Sequence, residues 1–178
     1  MPLRLILIII FIIIGFITGG SRRSRTARNN NSNTNTVSRP GKPDYVRSSQ
    51  NDPEMDKAVA TAPATVQQFI DALKSPKPNQ RGFSIKKGFK QGEMTEHMWM
   101  TDVTFDGTNF HGKLNNDPVD VTNIKIGDAV TLSPKEISDW MFVEDGKLVG
   151  GYTLRVLYSR ESPEGKKQID RETGFKIE

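Results

Sequence analysis

The eleven residues from Thr95 to Phe105 constrain the fold more than any other stretch, because they alternate in position while keeping large apolar groups on both sides. His97, Trp99, Thr101, Val103 and Phe105 fall on one side of an extended chain, Met98 and Met100 on the other. A strand with one wet face alternates apolar with polar residues. Two apolar faces therefore predict a central strand with a packed layer on each side. Asp106-Gly107 predicts a reversal into a second strand from Asn109 to Leu114, which makes the pair a hairpin.

The covering layers are legible on either flank. Asp52-Pro53-Glu54 is a helix start: Asp as N-cap, Pro at the first helical position, an acid in the first turn. Met55, Val59, Ala62, Val66, Phe69, Ile70 and Leu73 then share one helical face. Pro63 removes a backbone donor and predicts a kink, or a restart capped by Thr61, and the helix should stop before Ser75-Pro76-Lys77-Pro78. Phe83, Ile85 and Phe89 suggest a strand broken by Gly88, with a turn at Gln91-Gly92. Beyond the hairpin, Val119, Val121 and Ile124 suggest a short extended piece, and Ala129 to Leu132 another. Ser133 with Glu136 satisfies the capping pattern for one or two helical turns. Asp145-Gly146 then joins two strands, Trp140 to Val143 and Lys147 to Val149. After Gly150-Gly151 a helix through Leu154, Leu157 and Tyr158 is expected, although Thr153 and Val156 also suit a strand; Ser162-Pro163-Glu164 caps a polar helix that stops near Gly174. The expected class is α+β: an amphipathic N-terminal helix on a small bent antiparallel sheet of four to six strands, with short C-terminal helices.

What precedes this domain has a different character. Leu5 to Gly20 is an uncharged, isoleucine-rich run, which as a helix spans about 24 Å. Residues 1–20 are expected to be a membrane anchor, with a cleaved export signal as the rival; the basic cluster Arg22, Arg23, Arg25 and Arg28 favours a retained segment with the domain in the cytoplasm. Residues 21–51 are rich in Asn, Ser, Thr and Arg, and are expected to be a polar linker without regular structure. Residues 52–178 form the domain. Residues 1–50 hold eight basic side chains against one acid, a charge of +7, so of the net +4 the remainder carries −3. The basic excess belongs to the leader, and no nucleic-acid partner is expected for the domain. The chain has no cysteine, which excludes disulfides and thiolate metal sites.

Candidate chemistry concentrates between Glu136 and Arg155. His97 and His111 stand 14 positions apart, too few and too far apart in sequence to specify a metal site, although a suitable hairpin would bring them toward Asp102 or Glu96. His97 reads more simply as a half-buried ring bonded to a backbone carbonyl or an acid. Glu96, Glu136, Asp139, Glu144 and Asp145 offer carboxylate pairs, but no spacing selects one for acid/base work. Asp139, beside Trp140, reads as capping a turn or accepting a bond from Arg155 or a backbone donor. Gly150-Gly151 lacks the Lys-Ser or Lys-Thr of a phosphate loop and reads as a tight turn of positive φ. Trp99, Trp140 and Tyr152 read as core before they read as a stacking platform.

Five short motifs occur in order: Glu96-His97-Met98-Trp99; Asn116-Asp117-Pro118; Gly127-Asp128; Ile137-Ser138-Asp139-Trp140-Met141; and Gly150-Gly151-Tyr152-Thr153 with Arg155. Together they resemble the YegJ-like bacterial family of unknown function, over about Asp52 to Arg171. The resemblance implies domain limits but no reaction, cofactor or partner, and some relatives resemble exported proteins. The expected function is a membrane-tethered binding or interaction module without catalysis, metal or cofactor, for which Glu96, His97, Asp139, Trp140, Tyr152 and Arg155 are the candidate binding residues. The alternative is a small envelope-associated hydrolase using His97 or a carboxylate pair.

Overall fold

A computed structural model describes residues 34–39, 42–48, 52–92 and 94–178. The expected anchor or signal, residues 1–20, lies outside them. Within the expected linker, β1 (Thr34–Arg39) and β2 (Lys42–Ser48) pair as an antiparallel ribbon that forms its own sheet. The linker reading assigned no regular structure there. Pro40 and Gly41, residue types that favour a reversal, stand between the two strands.

The domain proper opens with α1 (Pro53–Lys74), whose N-cap Asp52 accepts a hydrogen bond from the Met55 N–H at 3.2 Å. The helix runs through Pro63 without a restart, and Thr61 does not cap: its hydroxyl turns back to the Lys57 carbonyl at 2.7 Å. Ala58, Ala62, Phe69 and Ile70 are the buried side of the helix, with Val66 and Leu73 packed beside them.

The strands β3 (Gln80–Gln91), β4 (Met94–Phe105), β5 (Phe110–Leu114), β6 (Ala129–Leu132), β7 (Ile137–Glu144) and β8 (Lys147–Gly150) form one antiparallel sheet in the order β6-β5-β4-β3-β7-β8. A single 3₁₀ turn, Pro134–Glu136, links β6 to β7. After β8 come α2 (Tyr152–Ser159) and α3 (Pro163–Thr173), the latter capped by Ser162 and stopped at Gly174. The class is α+β, as the sequence indicates, with β4 and β3 at the centre of the sheet.

Three local expectations need correction. Gly88 does not break β3, which pairs with β4 straight through it; a Cβ there would stand 3.2 Å from Cε1 of His97, so the glycine makes room for that ring. The two faces of β4 are not those a strict alternation predicts. Asp102 adopts φ 53°, an extra residue sits on β4 between Thr101 and Thr104 relative to β5, and the phase flips. Val103 and Phe105 therefore join Met98 and Met100 under α1, while Trp99 faces the other way. Val119 to Val121 form no strand, because a side chain on β4 takes the N–H groups a ladder would have used.

Two apolar clusters result, one on each side of the sheet. Under α1, Phe69 is the hub, with ring centroids 5.7 Å from Trp140, 5.9 Å from Phe110 and 5.8 Å from Phe83. On the opposite face Trp99, Met141 and Val143 meet Leu148, Leu154, Ile169, Phe175 and Ile177 from β8, α2, α3 and the C-terminal segment. Arg160, just past α2, closes the structure on itself by a two-toothed bond to the buried Asp52 at 2.7 and 2.8 Å, with Glu54 at 2.8 Å. Truncating Phe69 to alanine removes contacts to three rings at once and is expected to cost about 3–5 kcal/mol. Chemical denaturation checks this: the midpoint should fall with an unchanged slope, and a loss below about 1 kcal/mol would contradict the assignment of the hub.

Candidate functional site

Register decides what gathers around β7. Lys86 pairs with Trp99 on β4 and with Asp139 on β7, whereas Lys87 pairs with Ile137. Ser138 is thus an extra residue on β7, and the bulge brings Ser138 and Asp139 toward the face that carries Lys86, His97 and Trp99.

Asp139 is fully buried. A carboxylate taken out of water has to be met by donors, and here four meet it. Oδ1 accepts the N–H of Trp140 at 2.8 Å and of Tyr152 at 3.0 Å; Oδ2 accepts the Thr153 N–H at 2.9 Å and the Thr153 hydroxyl at 2.5 Å. Tyr152 and Thr153 open α2, and the first N–H groups of a helix have no partner within it. Gly151 in the N-cap position has no side chain to offer. Asp139 supplies the cap from the neighbouring strand, with its charge at the favourable end of the helix dipole. Gly150 and Gly151 take φ of 69° and 63°, and a Cβ on Gly150 would strike the Trp140 carbonyl and ring. The glycine pair is a tight turn, as its composition suggests.

Half-buried Lys86 completes this polar group. Its Nζ donates to Thr153 Oγ1 at 3.2 Å and lies 5.4 Å from the Trp99 ring centroid. The Thr153 hydroxyl therefore donates to the acid and accepts from the base. Burial pushes Lys86 below its ordinary value, and the Asp139 charge opposes that. Burial pushes Asp139 up, against the Lys86 charge and the donors of Thr153 and Trp140.

His97 touches the edge of the group. It is exposed, not half-buried, and its Nδ1 lies 2.8 Å from the hydroxyl of buried Ser138, not from a carbonyl or an acid. Loss of water around the inward edge of the ring, with the nearby Lys86 charge, lowers its pKa to about 4. At neutral pH the imidazole is uncharged.

The other candidates serve the fold in different ways. Trp140 is buried, its Nε1 donating to the Ala62 carbonyl at 3.0 Å and to Thr65 Oγ1 at 3.2 Å. The Tyr152 hydroxyl also donates to Thr65 Oγ1, at 2.8 Å, and the two rings meet edge to face at 5.6 Å. Glu96, the neighbour of His97, turns the other way and accepts the N–H groups of Val119, Asp120 and Val121 at 2.9 to 3.2 Å. Arg155 does not reach Asp139. Its guanidinium donates to the carbonyls of Gly150 at 2.8 Å, Leu148 at 2.6 Å and Glu178, binding α2 to β8 and the C-terminal residue.

The structure thus joins Asp139, Trp140 and Tyr152 in one unit, places His97 at its rim, and sets Glu96 and Arg155 apart. His97 and His111 do not converge on Asp102 or Glu96: His111 bonds Asp106 and Thr131. Among the described residues no three His, Asp or Glu side chains gather as metal ligands. A recess of about 420 Å³ beside β8 is lined by Arg155, Lys147 and Lys176 against Glu144, Asp145 and Glu178, an even balance of charge that selects no ligand class. Lys86, Thr153 and Ser138 were missed by sequence reasoning. For Lys86 one signal existed: it alternates with the apolar Phe83 and Ile85 in the same strand, and a cation on the second face of a covered strand calls for a partner.

Comparisons with known proteins agree with the motif resemblance. The family model described as "Uncharacterized protein conserved in bacteria (DUF2314)" matches residues 52–177. Over 110 residues the chain is 36% identical to the Escherichia coli K12 protein called uncharacterized protein YegJ, covering 60% of this chain and 71% of that one. Over 86 residues it is 39% identical to a putative ankyrin repeat protein of Neisseria meningitidis serogroup B, covering 48% of this chain and 34% of that one. This chain therefore spans about a third of the meningococcal relative's length. No solved structure matches.

Two outcomes follow from the geometry. Asp139→Asn turns an NH₂ group toward donors and should destabilise the domain by about 3 kcal/mol in denaturant unfolding; a loss under about 1 kcal/mol would mean that α2 does not depend on this cap. His97 is held neutral in the fold to about 4, while in the unfolded chain it takes up a proton near its ordinary value of 6.5. The unfolded state binds the extra proton in between, so stability falls as pH falls through that window. Melting temperatures of wild type and His97→Gln from about pH 7 to 4.5 should converge or cross as the wild type loses more; parallel curves would contradict the assignment.

Proposed function

The chain belongs to the DUF2314 family of uncharacterized bacterial proteins, and on that premise we propose that it is a binding or interaction module, held at a membrane by residues 1–20, without evident catalysis at the Asp139 group. One observation carries this reading: the charged side chains among the six candidates, His97 apart, are already occupied in holding the fold. Asp139 is saturated by four donors, Glu96 by the loop at Val119 to Val121, and Arg155 by three carbonyls. A hydrolase built on His97 needs a carboxylate beside it, and the two acids at hand, Glu96 before it in the chain and Asp139 next to its partner Ser138, both turn elsewhere.

Two further facts support a binding role. A segment similar to this chain lies within a longer meningococcal protein named as a putative ankyrin repeat protein, and repeats of that type build extended binding surfaces. His97 is the one exposed side chain of the six candidates, and with half-buried Lys86 behind it offers a polar contact at the mouth of the Asp139 group. The tether rests on the apolar run Leu5 to Gly20 and the arginines after it. Among the described residues no helix is long and apolar enough to cross a membrane.

Fractionation of cells making the full chain, or the chain without residues 2–20, tests the tether. The full chain should stay with membranes through an alkaline wash and the shortened one should not; equal behaviour would overturn it. A photo-crosslinking amino acid at position 97 should give one discrete adduct in vivo that the same group at Asp145 does not, and identical patterns at both positions would argue against a contact there.

A further inference from the structure

Toward the other edge of the sheet from the Asp139 group, three polar side chains from three separate places line up. Asp106 sits in the turn after β4, His111 on β5, and Thr131 opposite His111 on the edge strand β6. Asp106 Oδ2 lies 2.7 Å from His111 Nε2, and His111 Nδ1 lies 3.0 Å from Thr131 Oγ1. The second carboxylate oxygen accepts the N–H groups of Thr108 and Asn109, each at 2.8 Å, so the acid is fixed in place by its own turn. Those bonds, first that of Asn109, then that of His111, hold Asp106 ionised down to about 2. With the carboxylate fixed, the neutral imidazole carries its proton on Nε2 and presents the Nδ1 lone pair to the threonine hydroxyl. Thr131 is exposed, between buried Val130 and Leu132, and its branched side chain has little rotamer freedom on a strand.

An acid that orients a base, and a base that accepts the proton of a hydroxyl, is the arrangement that makes a weak nucleophile reactive. We infer that Thr131 is an acyl-accepting hydroxyl, activated by His111 and Asp106, toward small activated acyl esters. Thr131 Oγ1 attacks the ester carbonyl carbon and its proton passes to His111 Nδ1. The tetrahedral intermediate expels the alcohol or phenol, which leaves as the anion or with that proton, and the acyl group remains on Thr131 as an ester. No oxidant, metal or further reactant enters the balance. β6 is the sheet edge, where strand N–H groups that do not pair with β5 point outward and can meet a developing oxyanion. The inference concerns a single covalent event at this edge and is independent of the binding role argued for the His97 rim.

Incubating the full chain with p-nitrophenyl acetate at mildly alkaline pH, followed by peptide mass spectrometry before and after hydroxylamine, tests it. Hydroxylamine removes esters and spares lysine amides, so threonine labelling is separated from incidental acetylation. The expected result is a hydroxylamine-labile acetyl group on Thr131, at least about tenfold above that on exposed Thr104 and Thr108, within the range general-base assistance supplies. Thr131→Val should remove it. His111→Gln should reduce it to the level of the control threonines, as should Asp106→Asn, which keeps the acceptor for Thr108 and Asn109 but turns a donor toward His111. Absence of the ester at Thr131, or equal labelling in His111→Gln, would overturn the inference.

Discussion

The Asp139 carboxylate has no access to water, and everything after β7 is arranged to make that tolerable. Its two oxygens are met by three backbone N–H groups and one hydroxyl, three of the four from the first turn of α2. Removing a charge from water costs several kcal/mol, offset only if every lone pair finds a donor. The glycine pair turns the chain sharply enough for Tyr152 and Thr153 to arrive together, and Lys86 brings a compensating positive charge within one hydroxyl of the acid. A buried acid that serves two elements at once fixes where α2 begins and which way it points.

That placement propagates. Tyr152 reaches Thr65 on α1 alongside the Trp140 indole, while at the far end of α2 Arg160 grips Asp52, the cap of α1. Both ends of the short helix are thus bonded to the long one, and Arg155 ties its middle to β8. The polar cluster and the aromatic hub at Phe69 share Trp140: its ring packs in the core while its backbone N–H serves Asp139. Stability and the candidate surface cannot be changed separately at these positions, which is why the exposed His97 is a better probe of binding than its buried neighbours.

Elements were legible where local chemistry alone decides them: the Asp52-Pro53 start, the Asp106-Gly107 and Asp145-Gly146 reversals, the Ser133 and Ser162 caps. For α2 the sequence leaned to a helix through Leu154, Leu157 and Tyr158 while Thr153 and Val156 left a strand open, and the helix is what forms. Errors fell where tertiary contacts override a local rule. Pro63 costs α1 one bond, yet the helix continues because its flank is packed on the sheet. Gly88 looks like a break and is a space for His97. Asp102 looks like an ordinary outward residue of β4 and instead shifts the register, so Val103 and Phe105 change sides. For Asp139 the sequence indicated a cap or a backbone donor, and the structure shows the donors while taking Arg155 elsewhere; that they come from the start of α2, with Lys86 as counter-charge, was not legible, because Lys86 and Asp139 meet only through the pairing of β3 with β7.

The central claim is that the carboxylate of Asp139 clasps the start of α2 to the sheet, so that this turn opens only when the whole domain does. Native-state amide hydrogen exchange at Tyr152 and Thr153 measures this directly. The account predicts that both amides exchange with the free energy of global unfolding, rising and falling with denaturant in step with the core amides of β3 and β4. Exchange at the rate of a fraying helix end, insensitive to denaturant, would contradict it.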